Sequence, residues 1–203
     1  VVTNSINDSR GIKCYQIYQI LALFISYVAF VNYKLKLGFI ILTYYWQTLG
    51  HEISKMLEMA SKLCEDEKYT QALKYYEDVL CVKSDNVLAI IDHGVTLQNL
   101  GHLRRALEMY NMALTIKPKN LYALINKGSV LHTLQKYSEA ISCYNIVLSF
   151  DKKNAMAIVY KGLSIGEMGN IPLAMKYFKK ALLIDSDYDL ARISLDTANS
   201  IME

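Results

Sequence analysis

Proline is almost missing from this chain: there are two in 203 residues, beside nine glycines and one tryptophan. So little Pro and Gly excludes a collagen-like or linker protein. A composition that is 53% hydrophobic and 20% charged excludes a mainly disordered one. Cysteine is sparse as well. Cys14, Cys64, Cys81 and Cys143 are too scattered for a disulfide scaffold, and no CxxC pair offers a zinc site. A formal charge of +3 is too small to argue for nucleic acid, and Arg104-Arg105 and Lys179-Lys180 read as solvated outer faces. GxSxG, a phosphate loop and a dinucleotide fingerprint are all absent. His51-Glu52 starts like a zinc-protease HExxH, but Lys55 stands where the second His belongs. Asp185-Ser186-Asp187 has the look of a metal-binding pair, yet its place between two helices makes it a cap. These absences predict a non-catalytic protein with no metal and no cofactor.

What the chain does have is a repeat. Ala72, Ala106, Ala140 and Ala174 are spaced by 34 residues, and Leu80, Leu114, Leu148 and Leu182 follow in the same register. Four residues after each Ala stands an aromatic: Tyr76, Tyr110, Tyr144 and Phe178. Twelve before each stands a small residue: Ala60, Gly94, Gly128 and Gly162. Between these columns each copy reads as two helices. Ile90, Gly94 and Leu97 form an apolar stripe at helical spacing, as do Leu124, Gly128 and Leu131. The stripe breaks at LGHL, LQKY and MGNI, and a second stripe begins, for example Ala106, Tyr110, Ala113 and Leu114. IKPKN, FDKKN and IDSDY end the copies. Pro118 suits that break, and Asn86, Asn120 and Asn154 suit a left-handed cap there. Pro172 falls in the first turn of a helix, where its missing N–H is not needed. Small residues let paired helices approach, and one pair cannot bury both faces, so copies must stack.

The small–Leu–Tyr–Ala–aromatic–Ala–Pro pattern resembles the tetratricopeptide repeat (TPR), best over residues 87–120 with Gly94, Leu97, Leu103, Ala106, Tyr110, Ala113 and Pro118. The resemblance covers 53–86, 87–120, 121–154 and 155–188. It departs in detail: Met56, Ile90, Leu124 and Ile158 replace the early Trp, and Lys127 and Lys161 replace a Leu. It implies an all-α, TPR-type helix-turn-helix solenoid of four repeats. Residues 189–203 read as a capping helix, with Leu190, Ile193, Leu195 and Ala198 covering the last pair.

Residues 1–52 have another composition. Five basic and two acidic residues lie in the first 55, while the rest of the chain is charge-balanced, and every Met stands at or after Met56. Ile17–Val31 carries no charge and is flanked by Arg10, Lys13, Lys34 and Lys36, with a second apolar stretch at Leu37–Trp46. A spanning helix needs about 20 apolar residues. With its tyrosines, residues 17–33 read as an apolar helix and a membrane anchor, leaving the repeats cytoplasmic. No small-x-small site supports a signal peptide. The alternative is upstream sequence wrongly joined to a soluble protein starting near Met56.

The resemblance places a ligand on the inner flank of the first helix of each pair. The candidate groove residues are Leu88, Ile91, Asp92, Asn99, Tyr122, Ile125, Asn126, Ser129, His132, Met156 and Tyr160. TPR proteins that clamp a terminal carboxylate use Lys and Asn on such positions; only Asn126 fits, so no clamp is expected. The implied function is a protein-binding adaptor that takes an apolar or amphipathic peptide or helix and no nucleic acid. A repeat portion of a larger enzyme is the other reading.

Overall fold

The computed structural model describes residues 36–202 together with residues 23, 24, 26 and 27. Among the described residues every regular element is helical: α1 (Lys36–Glu65), α2 (Tyr69–Val82), α3 (Val87–Asn99), α4 (Leu103–Ile116), α5 (Leu121–Thr133), α6 (Tyr137–Phe150), α7 (Ala155–Glu167), α8 (Ile171–Leu182) and α9 (Asp189–Met202). The helix-pair reading of the sequence therefore holds. The chain divides into two compact units, Val1–Thr96 and Leu97–Glu203, with the division inside α3.

The N-terminal expectation changes. α1 runs for 30 residues from Lys36, so the stretch Leu37–Trp46 leads without a break into the first repeat helix, across the boundary expected at residue 52. Nothing in its sequence stops it: there is no Pro, and Gly50 has open space around it. Among the described residues no helix is long and apolar enough to cross a membrane. Apart from four helical residues with exposed Leu23, Phe24 and Tyr27, the expected span 17–33 lies outside the described residues, as does Cys14.

Each pair turns in one way. Glu67 (φ 59°), Gly101 (77°), Gln135 (60°) and Gly169 (87°) occupy one register, and all are left-handed. The next N–H closes back on the preceding helix: Lys68 to the Leu63 carbonyl, His102 to Leu97 and Lys136 to Leu131, each at 2.8 Å, and Asn170 to Ile165 at 3.2 Å. This closure is the Schellman motif, which satisfies the last carbonyls of the first helix. Glycine takes the strained position in two copies only, and the bonds hold Glu67 and Gln135 there in the others.

The asparagines between repeats do something other than expected. They are not left-handed ends but helix starts. Asn120 and Asn154 are extended at φ −74° and −68°. The Oδ1 atoms of Asn86, Asn120 and Asn154 accept from Ala89 N (3.2 Å), Ala123 N (2.9 Å) and Ala157 N (3.0 Å). A side-chain oxygen at this position satisfies one of the orphan N–H groups of the first turn. Asn154→Ala should lower stability by about 1 kcal/mol, read from a urea melt, and Asn154→Asp should restore most of it.

In the first unit, Ala60 and Ala72 are buried together with Tyr76, Val79 and Ala89. In the second, α4 packs on α5, α5 on α6, and so on to α9 on α8. The small columns meet the aromatic ones there. A Cβ on Gly128 would lie 2.5 Å from Cε1 of Tyr144, and one on Gly162 2.7 Å from Cε1 of Phe178. α9 closes on its neighbour through Ala191, Ser194 and Ala198 rather than Ile193, which is 61% exposed. Three small residues one and two turns apart form the contact stripe, and Ile193 lies about 100° off it.

Candidate functional site

One register of polar side chains links successive first helices, and single-sequence reasoning did not find it. In the first unit, the hydroxyl of Thr96 donates to the Asp92 carbonyl at 2.8 Å, so it accepts from the Cys64 thiol at 3.4 Å. In the second unit, Gln98 Nε2 donates to Ser129 Oγ at 3.4 Å. Ser164 donates to the Tyr160 carbonyl at 3.0 Å and accepts from His132 Nδ1 at 3.0 Å. That bond assigns the His132 proton to Nδ1. Burial holds the imidazole below its ordinary pKa, and Glu167 opposes the shift.

The aromatic column reaches the same register from the second helices. Tyr110 donates to Gln98 Oε1 at 3.1 Å, and the Tyr76 hydroxyl lies 3.9 Å from Cys64 Sγ. In the fourth copy the register holds Gly166, which offers no acceptor, and the aromatic is Phe178, which has no donor. The signal was legible as a 34-residue spacing of Cys64, Gln98 and His132. Tyr110→Phe should cost about 1 kcal/mol in a urea melt, because half-buried Gln98 can turn to water.

The inner-flank residues divide by burial. In the first unit Leu88 is exposed, Asp92 is half-buried and Ile91 is only 2% exposed. In the second, Asn99 is exposed, Tyr122 is 53% and Met156 41% exposed, and Asn126, Ser129, His132 and Tyr160 are half-buried. Ile125 is 6% exposed and Val159 fully buried. Ile91 and Ile125 therefore belong to the packing of the helices and leave the ligand surface. One step along a helix rotates a side chain by about 100°, enough to carry it into the seam between neighbours. Asn126 keeps a buried Nδ2 with no hydrogen-bond partner among the described residues. The Tyr160 ring lies 6.0 Å from that of Tyr144.

At the inter-repeat turns of the second unit the surface changes character. Lys117, Lys119, Lys152 and Lys153 are exposed beside Ile116 and a 53% exposed Phe150. The Lys119 ammonium lies 5.4 Å from the centre of the Phe150 ring, so two successive turns meet. Asp151 folds onto its own turn, accepting from Lys153 N and Asn154 Nδ2, each at 3.1 Å. Lys161, which replaces a family Leu, lies 4.7 Å over the Tyr177 ring and so keeps a packing role.

Among the described residues no group of three His, Cys, Asp or Glu side chains could hold a metal ion. Asp185 accepts from Asp187 N at 3.1 Å, which makes the DSD run a closed turn. The His132–Ser164 pair is no nucleophile, because Ser164 is fully buried with its proton committed to a carbonyl. His93 is buried and stacks on Tyr76 at 6.5 Å, and Cys143 is a buried thiol raised in pKa mainly by burial. Cys64 and Cys81 are only half-buried.

Residues 121–154 match the family model described as tetratricopeptide repeat. No curated protein matches the chain. Solved structures do. MamA from Desulfovibrio magneticus RS-1 superposes with a TM-score of 0.66 at 19% identity, covering 74% of this chain and 85% of that one. PilF from Pseudomonas aeruginosa gives 0.68 at 18%, covering 74% and 69%. The first TPR domain of Spaghetti (RPAP3), bound to the HSP90 peptide SRMEEVD, gives 0.55 at 18%, covering 59% and 95%. The 34-residue columns, the Schellman-closed pairs, the one matching repeat and these superpositions together show a tetratricopeptide-repeat fold.

Proposed function

We propose that this protein is a non-catalytic interaction scaffold whose second unit binds a peptide or helical segment along the inner flank of α5 and α7. The observation that carries this reading is the unpartnered Nδ2 of Asn126, one helical turn along α5 from exposed Tyr122. A buried donor without a partner is costly, and a carbonyl of a bound segment would satisfy it. Apolar contact with Tyr122 and Met156 would supply area, while Ser129 and His132 would add polar selection. The likeness to a TPR domain that holds a peptide supports the same use of the fold. Within the second unit, exposed Asn99 extends the candidate surface on the preceding first helix.

Selection from a random 12-residue peptide library tests the reading. Enriched peptides should bind the wild type and lose at least about tenfold in affinity to Asn126→Ala combined with Tyr122→Ala. No enrichment, or equal binding to the double variant, overturns it. The hydropathy of residues 17–33 supports a membrane tether as part of the proposal. The mass of the native N-terminal peptide in membrane and soluble fractions decides that part. A start near Val1 in membranes supports the tether, and a start near Met56 in the soluble fraction removes it.

A further inference from the structure

Between Glu108 and Glu167 the chain carries seven lysines, no arginine and two carboxylates, Glu139 and Asp151. Glu139 is paired with Lys136 at 3.1 Å, and Asp151 is spent on its own turn. The four exposed lysines of the two inter-repeat turns therefore face solvent with one carboxylate, Asp151, beside them, a local excess of positive charge. They surround apolar side chains that are themselves exposed, and the Lys119–Phe150 contact joins the two turns into one edge. In sequence this edge adjoins the groove residues. Tyr122 follows Lys119 by three residues and Met156 follows Lys153 by three, so a segment lying against Tyr122 and Met156 meets the lysines at once.

We infer that the segment bound by the second unit carries acidic side chains next to a large apolar one, and that it crosses the edge formed by Lys117, Lys119, Phe150, Lys152 and Lys153. The inference rests on the groove reading above and adds the partner's charge. Lysine stems cover the apolar side chains while their ammonium groups stay in water, an arrangement that favours an anionic amphipathic partner over a neutral one. These lysines are divided between two turns, so they suit side-chain carboxylates spread along a segment rather than a single terminal carboxylate.

The same library, panned on the wild type and on a variant with Lys117, Lys119, Lys152 and Lys153 all changed to Glu, separates the two ideas. Peptides selected by the wild type should be rich in Asp and Glu beside an aromatic or aliphatic residue. Their affinity should drop at least about tenfold on the variant and again between 50 and 500 mM salt. Replacing the acidic residues of a selected peptide by Gln, with the protein untouched, should produce the same loss. Peptides that enrich without acidic bias, or that keep their affinity after these changes, overturn the inference and leave the groove reading standing. No enrichment at all overturns the groove reading itself. Sedimentation of the wild type, but not the variant, with phosphatidylglycerol vesicles, in the absence of acidic peptides, overturns the inference in favour of a bilayer surface.

Discussion

Gly128→Ala is expected to destabilise the second unit by about 1–3 kcal/mol, and Gly128→Val by more than about 3. The new methyl would sit 2.5 Å from Cε1 and 2.7 Å from Cζ of Tyr144. That ring is 1% exposed and is backed by Tyr160 at 6.0 Å, so it has little room to retreat. Helix propensity works in the opposite direction, favouring Ala over Gly by about 1 kcal/mol. A measured loss would show that packing wins. The column itself supplies the control, because the first copy carries Ala60 where the third carries Gly128, with Tyr76 in the facing register. Urea melts of Gly128→Ala, Tyr144→Leu and the double variant form a cycle, and the coupling should be at least about 1 kcal/mol. Additive effects would mean that the clash is relieved elsewhere, and the role given to the glycine would fall.

The 34-residue columns made the pairs, their turns and their stacking legible, because a helix that must meet a helix needs small and aromatic residues at fixed places. Less was legible where two local solutions share one residue type. Asn suits both a left-handed helix end and a helix start, and only the backbone at Asn120 and Asn154 decides for the start. Ile91 and Ile125 looked like ligand surface for a related reason: the inner flank and the seam between first helices lie one residue apart. The polar register of Cys64, Gln98 and His132 was missed because its three residue types differ, although each meets a hydroxyl of the next first helix. The lysine-rich edge was read as two separate turns. Only the approach of Lys119 to Phe150 makes it one surface.

Asp92→Asn should raise stability by about 2 kcal/mol at pH 8 and leave it nearly unchanged at pH 4. Burial pushes the Asp92 carboxyl up from its ordinary 3.8 to about 6. The folded state thus holds the proton in a window where the unfolded chain has released it. The stability contributed by that protonated group is complete below about pH 4 and is lost as pH rises through about 6. Above that, a half-buried carboxylate remains beside Tyr76, whose hydroxyl is itself raised in pKa, chiefly by burial and further by Cys64 and Asp92. The amide removes the charge and leaves the Asp92 carbonyl free to keep its 2.8 Å bond from Thr96. His132 slopes the other way. Its pKa is lowered on folding, so its share of stability is present above the ordinary value of 6.5 and lost as pH falls below it. Urea midpoints of the wild type and Asp92→Asn should therefore nearly coincide at pH 4, differ at pH 6 and differ most at pH 8. A gap that stayed constant with pH would mean that Asp92 is not desolvated. A gap that widens as pH rises makes the buried Asp92 carboxylate a source of the stability that the first unit loses above about pH 4.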